Sequence, residues 1–155
     1  MKGSSLLFIA SWVILLIVSG AIVLFSVLSL WVAYTGKPDG LTREYSLTQI
    51  QEQGGDQAVK AFRGRRATAA TFALGYALLA LAVTWVPYRR GEKWAWWALL
   101  VSLGLSQFLS LVRAVMLVTA DGLSTPAILL AFSLLALLAG APRMFSHRLL
   151  PSRDS

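Results

Sequence analysis

No cysteine occurs anywhere in the 155 residues of this chain. Disulfides, thiolate metal ligands, iron–sulfur clusters and thiol redox chemistry are excluded together. Acids are scarce as well, with seven Asp and Glu against fourteen Lys and Arg, and none of the seven falls inside a long apolar run. Proton relays and cation sites within membranes usually rest on buried carboxylates, so ion-coupled transport of that type is disfavoured. Histidine occurs once, as His147, so a pair of imidazole ligands for haem or a metal cannot come from a single copy. These absences lead to the expectation of no cofactor, no metal and no catalytic residues, which is to say a protein that is not an enzyme.

What the chain does contain is hydrocarbon. Hydrophobic residues make up 57% of it and charged residues 14%, and the mean hydropathy is +0.67. A water-soluble domain of this size would have nowhere to put so much apolar surface. Crossing a bilayer takes about 20 apolar residues at about 1.5 Å each, and four stretches qualify. The first runs over 6–34 and is long enough to tilt or to project past the membrane. A cleaved signal peptide is the rival reading. Against it, Lys2 is the one charge ahead of the run, the run is about twice a usual signal core, and no clear cleavage site follows. The other predicted spans cover 67–86, 94–119 and 123–141. The fold expected is all-α, an antiparallel four-helix transmembrane bundle in one membrane domain.

Between the first two spans lies a polar segment over 35–66, opened by Thr35-Gly36-Lys37-Pro38-Asp39-Gly40, a run dense in turn formers. Ser46-Leu47-Thr48-Gln49 has the spacing of a capping box and predicts a short helix that Gly54-Gly55 stops. Asp56 then starts a second helix continuous with the next span. Arg89-Arg90-Gly91-Glu92-Lys93 is a tight turn between neighbours, Asp121-Gly122 is another, and a basic tail occupies 142–155. His147 in that tail reads as an interfacial residue beside Met144, Phe145, Leu149 and Leu150.

Trp85, Tyr88, Trp94, Trp96 and Trp97 gather around the charged turn, and Trp31 and Tyr34 mark the other face, as interfacial aromatic belts do. The tryptophan cluster also suits a quinone or pigment, but a belt accounts for it more simply. Lys2, Arg89, Arg90, Lys93, Arg143, Arg148 and Arg153 put seven cations on the face holding both termini; Lys37, Arg43, Lys60, Arg63, Arg65 and Arg66 put six on the other. The excess is narrow, but the seven crowd a short turn and a tail, so both termini are expected in the cytoplasm. Basic residues at helix ends speak for topology and lipid contact, not for nucleic acid.

One charge stands within a span. Arg113 lies about 9 Å inside the apolar run that ends at Thr119, at 1.5 Å per residue. Ser102, Ser106 and Ser110 recur every four residues on the same helix, Ala114 extends the row and Gln107 is close to it. Two readings compete. In one, the serines let helices approach closely while Arg113 snorkels to the head groups or to Asp121. In the other, Arg113 with Ser106, Ser110 and Gln107 holds an anion, a lipid head group or an acid of another subunit. Small residues at Ser19-Gly20-Ala21, Ser26, Ser29, Thr68, Thr71 and Gly75 read as packing contacts.

The segment Pro87-Tyr88-Arg89-Arg90-Gly91-Glu92-Lys93-Trp94-Ala95-Trp96-Trp97 resembles a P-Y-R-R-G-E-[KR]-W-A-W motif between spans two and three of small bacterial four-helix membrane proteins that are themselves uncharacterised. The resemblance implies a bacterial inner-membrane protein and brings no activity or site residues with it. Two similar-sized families are set aside on residues: small multidrug transporters carry a Glu in the first span and tetraspanins carry loop cysteines, and both features are absent here. The function expected is a non-catalytic accessory subunit or oligomerising scaffold, with the bilayer and other membrane subunits or further copies of itself as partners. A small oligomeric transporter or channel-like protein built on the Arg113 stripe is the alternative. A topology reporter fused after Ser155 is expected to show cytoplasmic activity only; signal from an exclusively external reporter reverses the assignment.

Overall fold

A computed structural model of the chain describes residues 2–36, 47–116 and 124–145. The predicted turns over 37–46 and at Asp121-Gly122, the end of the third span beyond residue 116, and His147 with the rest of the tail beyond 145 lie outside the described residues.

Every regular element is helical: α1 (Lys2–Thr35), α2 (Leu47–Val83) running into a π turn (Thr84–Tyr88), α3 (Lys93–Leu99), a second π turn (Leu100–Gly104), α4 (Leu105–Met116) and α5 (Ser124–Phe145). Four helical stretches are long and apolar enough to cross a membrane: Leu6–Thr35, Gly54–Tyr88, Lys93–Met116 and Ser124–Phe145. The protein is thus an all-α, multi-pass membrane bundle. Such a chain must be helical where it meets lipid, because hydrocarbon offers no partner to an open backbone N–H or C=O.

The boundaries carry the local chemistry. Lys, Arg, Ala, Gln and Glu are strong helix formers, so the polar segment after Leu47 is helical rather than looped, and from Arg66 α2 runs back about 15 Å, at 1.5 Å per residue, before it is broken. Its one interruption is Gly55, at φ 65° and ψ −173°, a conformation that glycine reaches without steric cost. The Asp56 carboxylate then accepts a hydrogen bond from Gln51 Nε2 across the break, at 3.1 Å. At the other end, Pro87 does not stop the helix but widens its last turn. A missing N–H and a clashing ring are accommodated by that extra residue. The third span, expected over 94–119, is likewise relaxed over Leu100–Gly104. The fourth continues through Pro142 to Phe145. There the proline removes the bond to the Leu138 carbonyl, on an exposed side of the helix close to the membrane edge.

Helix α1 is the centre of the bundle, packed between α2 and α5. Ser11 meets Tyr88 and Arg66 meets Ser29, so α1 and α2 run in opposite directions. The buried strip of α1 (Phe8, Ser11, Leu15, Val18, Ser19, Ile22) faces small residues, among them Ala77, Ala80, Ala136 and Gly140. Small side chains let helix backbones approach, which is what drives packing in lipid. Ser26, Thr84 and Ser133 satisfy their hydroxyls on carbonyls one turn back, at 2.7, 2.8 and 2.7 Å. Ser19 is fully buried with no hydrogen-bond partner for its hydroxyl among the described residues, and contributes small volume alone.

The tightest junction joins three helices at the end where the chain begins. Tyr88 is 0% exposed, stacks on Phe8 at 5.5 Å and 7°, and its hydroxyl lies 2.5 Å from Ser11 Oγ. Gly140 of α5 closes over it: a Cβ there would overlap the Tyr88 hydroxyl and come within 2.8 Å of Ser11 Oγ. Neither hydroxyl is the end of a flexible chain, so neither can swing clear. Gly140→Ala is expected to destabilise the bundle by about 1–3 kcal/mol, the usual cost of overpacking, read as a lower thermal midpoint in detergent; an unchanged midpoint contradicts this packing.

Candidate functional site

The row of serines singled out in the third span lies along the flank of α4. Helix α4 and the π turn before it pack on α5, and their buried side chains, Leu103 of the turn and Gln107 and Ala114 of α4, lie on one face. Ser102, Ser106 and Ser110 are half-buried and sit to one side of it, toward α2. Among the described residues the hydrogen bond of α4 to α2 is that of Tyr76 OH with Ser106 Oγ, at 3.1 Å, and Ser102 lies beside the same hydroxyl. Ser106 and Ser110 also donate to carbonyls of their own helix, at Leu103 (3.2 Å) and Ser106 (2.9 Å).

Beyond Tyr76 the two helices share next to no contact, whereas α1 with α2, α1 with α5 and α4 with α5 pack extensively. The residue of α2 on the same side as Tyr76 one to two turns further out, Ala69, is exposed, and so is Phe72. The result is a groove between α2 and α4, closed at the Tyr76 to Ser106 contact and open toward the end where α4 reaches Arg113. Below that contact lies a small apolar cavity of about 80 Å³ lined by Tyr76, Leu79, Ala80, Val83, Ala98, Leu99 and Ser102.

The four residues expected to act together therefore divide. Ser106 and Ser110 share the groove wall. Gln107 is turned to the other side of α4 and buried. Arg113 is exposed in the last described turn and makes no hydrogen bond or ion pair among the described residues. It lies on the serine side, about 20° from Ser106 at 100° per residue. A site for an anion that needs all four side chains is not assembled within one copy.

The tryptophan cluster is engaged in packing. Trp96 Nε1 donates to the Leu137 carbonyl at 2.8 Å, and its ring meets Trp97 and Phe145 edge-on at 4.9 and 5.3 Å. Trp94 Nε1 donates to the Glu92 carboxylate at 2.5 Å, and both Trp94 and Trp97 are more than half exposed. Rings so arranged pin α3 to α5 and face the membrane boundary.

Two arginines that sequence reasoning counted only as topology signals have defined partners. Arg63 reaches back to the end of α1, donating through Nε to the Ala33 carbonyl at 2.7 Å and through Nη2 to the Tyr34 carbonyl. It thereby satisfies carbonyls that a helix end leaves open. Arg66 Nε donates to Ser29 Oγ at 3.1 Å. No pattern in the sequence pairs residues 30 apart, so these links could not be read from it.

Since the groove depends on one hydroxyl pair, a double-mutant cycle of Tyr76→Phe and Ser106→Ala should give a coupling of about 0.6 kcal/mol and no more than about 1.7, the range for hydrogen bonds within membranes, measured by unfolding in detergent; zero coupling shows the contact to be idle. No protein-family model matches the chain, and neither a curated protein nor a solved structure matches it.

Proposed function

We propose that this protein is a non-catalytic membrane component, an accessory subunit or oligomerising scaffold, that receives another transmembrane helix in the groove between α2 and α4. The observation that carries this reading is the groove itself. Three of the helix pairs close on one another, and the fourth is held apart past Tyr76, leaving small hydroxyl and methyl side chains, Ser106, Ser110 and Ala69, on its walls. Walls of this kind suit close backbone approach by a further helix. The Ser106 and Ser110 hydroxyls are already bonded within the protein, so a helix can pack there without stranding them. Arg113 at the open end offers a cation to an acid or head group of the partner.

The membrane is proposed to be a bacterial inner membrane, as the motif resemblance implies, with both termini in the cytoplasm. The N-terminal end of α1, the turn after Tyr88 and the end of α5 come together at one end of the bundle, so Arg89, Arg90, Lys93 and Arg143 lie on the same side, which supports counting them together. A small oligomeric transporter would use the same stripe differently, by wetting it.

Because the chain has no cysteine of its own, single substitutions report without background. Ser106→Cys and Ser110→Cys in membranes are expected to resist a water-soluble maleimide and to cross-link to a second polypeptide. Rapid labelling from the aqueous side would instead favour a water-lined path. A clean monomer with no cross-link, recovered after gentle extraction and native mass measurement, would sink both readings.

A further inference from the structure

One charge stands on the α4 wall of the groove, and its level decides what can fill the groove. Tyr76 lies 12 residues before Tyr88 and Ser106 lies 13 residues after Lys93, yet the two side chains meet, so the second and third spans run in opposite directions from the charged turn. Arg113, seven residues beyond Ser106, is therefore level with Ala69, seven residues before Tyr76, about 10 Å toward the open end. We infer that the groove takes a transmembrane helix of a different polypeptide, one that bears an Asp or Glu within its span at the level of Arg113. This names the partner of the docking surface proposed above and rests on that reading.

That level is inside the apolar layer. Arg66, which bonds to Ser29 of α1, is three residues outward of Ala69, so Arg113 is near the level of Ser26. From Ser26 to the end of α1 at Thr35 is nine residues, about 13 Å. The side chains exposed at this depth, Phe25 and Val27 of α1 and Phe72 of α2, are apolar. Among them Arg113 is exposed and makes no hydrogen bond or ion pair among the described residues. A cation so placed is stable where it reaches water, a head group or an acid.

Docking changes which of these it can reach. A helix packed against Ser106 and Ser110 also runs past Arg113, because the three lie on one side of α4. It shuts the guanidinium off from head groups on that side, and an unpaired charge enclosed by apolar side chains opposes the docking. A carboxylate on the incoming helix removes that penalty, since its two oxygens fit the fork of N–H donors that a guanidinium presents. The same helix finds the Ser106 and Ser110 hydroxyls already bonded, so the acid is the one polar group this wall asks of it.

A second copy of this chain brings no such group. None of its seven acids falls inside an apolar run, so in neither orientation does a copy carry a carboxylate to this depth. Asp56, on the same helix as Ala69, is 13 residues outward of it, about 20 Å. Asp121 lies past the apolar run that ends at Thr119. Two copies joined symmetrically through this face in one orientation would instead set their Arg113 side chains at one level, where like charges repel. Charge complementarity therefore selects a different polypeptide.

The test places the full chain with Ser110→Cys in phosphatidylcholine vesicles together with synthetic Leu/Ala helices of about 20 residues. Each helix has one cysteine and, about two turns inside its apolar stretch, a Glu, a Gln or a Lys. Disulfide cross-linking to the Glu helix is expected to exceed that to the Gln helix roughly tenfold, with Lys lowest. Arg113→Gln should remove the preference and Arg113→Lys should keep most of it. Equal yields with Glu and Gln overturn the inference and leave the docking surface standing. Yields no higher than those of Leu135→Cys, at an exposed position of α5, take the docking surface down as well. Cross-links between two copies that outcompete the Glu helix make the occupant a second copy, and loss of the Glu preference when phosphatidylglycerol replaces phosphatidylcholine assigns the cation to a head group; either result refutes the proposal. If Arg113→Gln loses its helical circular dichroism, the comparison of the three helices on the chain with Arg113 intact decides alone.

Discussion

Tyr88 holds three helices at one point. Its ring is stacked on Phe8, its hydroxyl is bonded to Ser11, and Gly140 leaves just enough room for it. Without water as a competitor, apolar contact offers little preference for helix over lipid, so orientation in a membrane bundle depends on shape and on a few polar contacts. Here the shape is a large ring received by a serine and a glycine. The neighbouring features follow from it: α1 is placed between α2 and α5, and the arginines that follow Tyr88 and Gly140 in sequence are brought to Trp12 and Phe8. At the far end of α1 the corresponding fastening is polar, with Arg63 on the last carbonyls and Arg66 on Ser29.

A bundle fastened around α1 in this way is not equally closed on all sides. The third span is secured near the charged turn by Trp96 and by its packing on α5, and then meets α2 through one hydroxyl pair. The open groove past Tyr76 is thus a consequence of where the fastenings lie. It links the packing to the proposed role: the side that the protein leaves unfilled is lined by small, internally satisfied side chains that another helix can approach.

The sequence made some of this legible and hid the rest for definite reasons. Uncharged runs of bilayer length announce spanning helices because solvent transfer acts on each residue separately, and Gly54-Gly55 marked the break ahead of the second span because glycine reaches positive φ cheaply. The same local reasoning closed the fourth span before Pro142, through which the helix continues to Phe145, and it placed the end of the second span rightly near Pro87 without showing that the proline sits inside a widened last turn. Whether a proline stops a helix depends on what else can take up the freed carbonyl and the ring, and at both places the surroundings permit it. Helical spacing placed Ser106, Ser110 and Arg113 on one side of α4 but drew Gln107 in with them, although it belongs to the buried face. A residue 100° from a stripe falls inside or outside it according to the neighbour, and the neighbour is α5. The contacts of Arg63 with Tyr34, Ser11 with Tyr88 and Arg143 with Phe8 join residues remote in the chain, and periodicity carries no information about them.

The widened turn at Thr84–Tyr88 has a consequence for counting. One additional residue per turn rotates everything that follows by about 100° relative to an uninterrupted α-helix. Ala77, Ala80, Thr84 and Tyr88, spaced three, four and four residues apart as one helical face is, are nevertheless all buried, because the rotation moves Tyr88 from the line of Ala77 to within about 20° of Ala80. The second span thus keeps one inward stripe through the wide turn, and Pro87 is accommodated without turning Tyr88 away from α1.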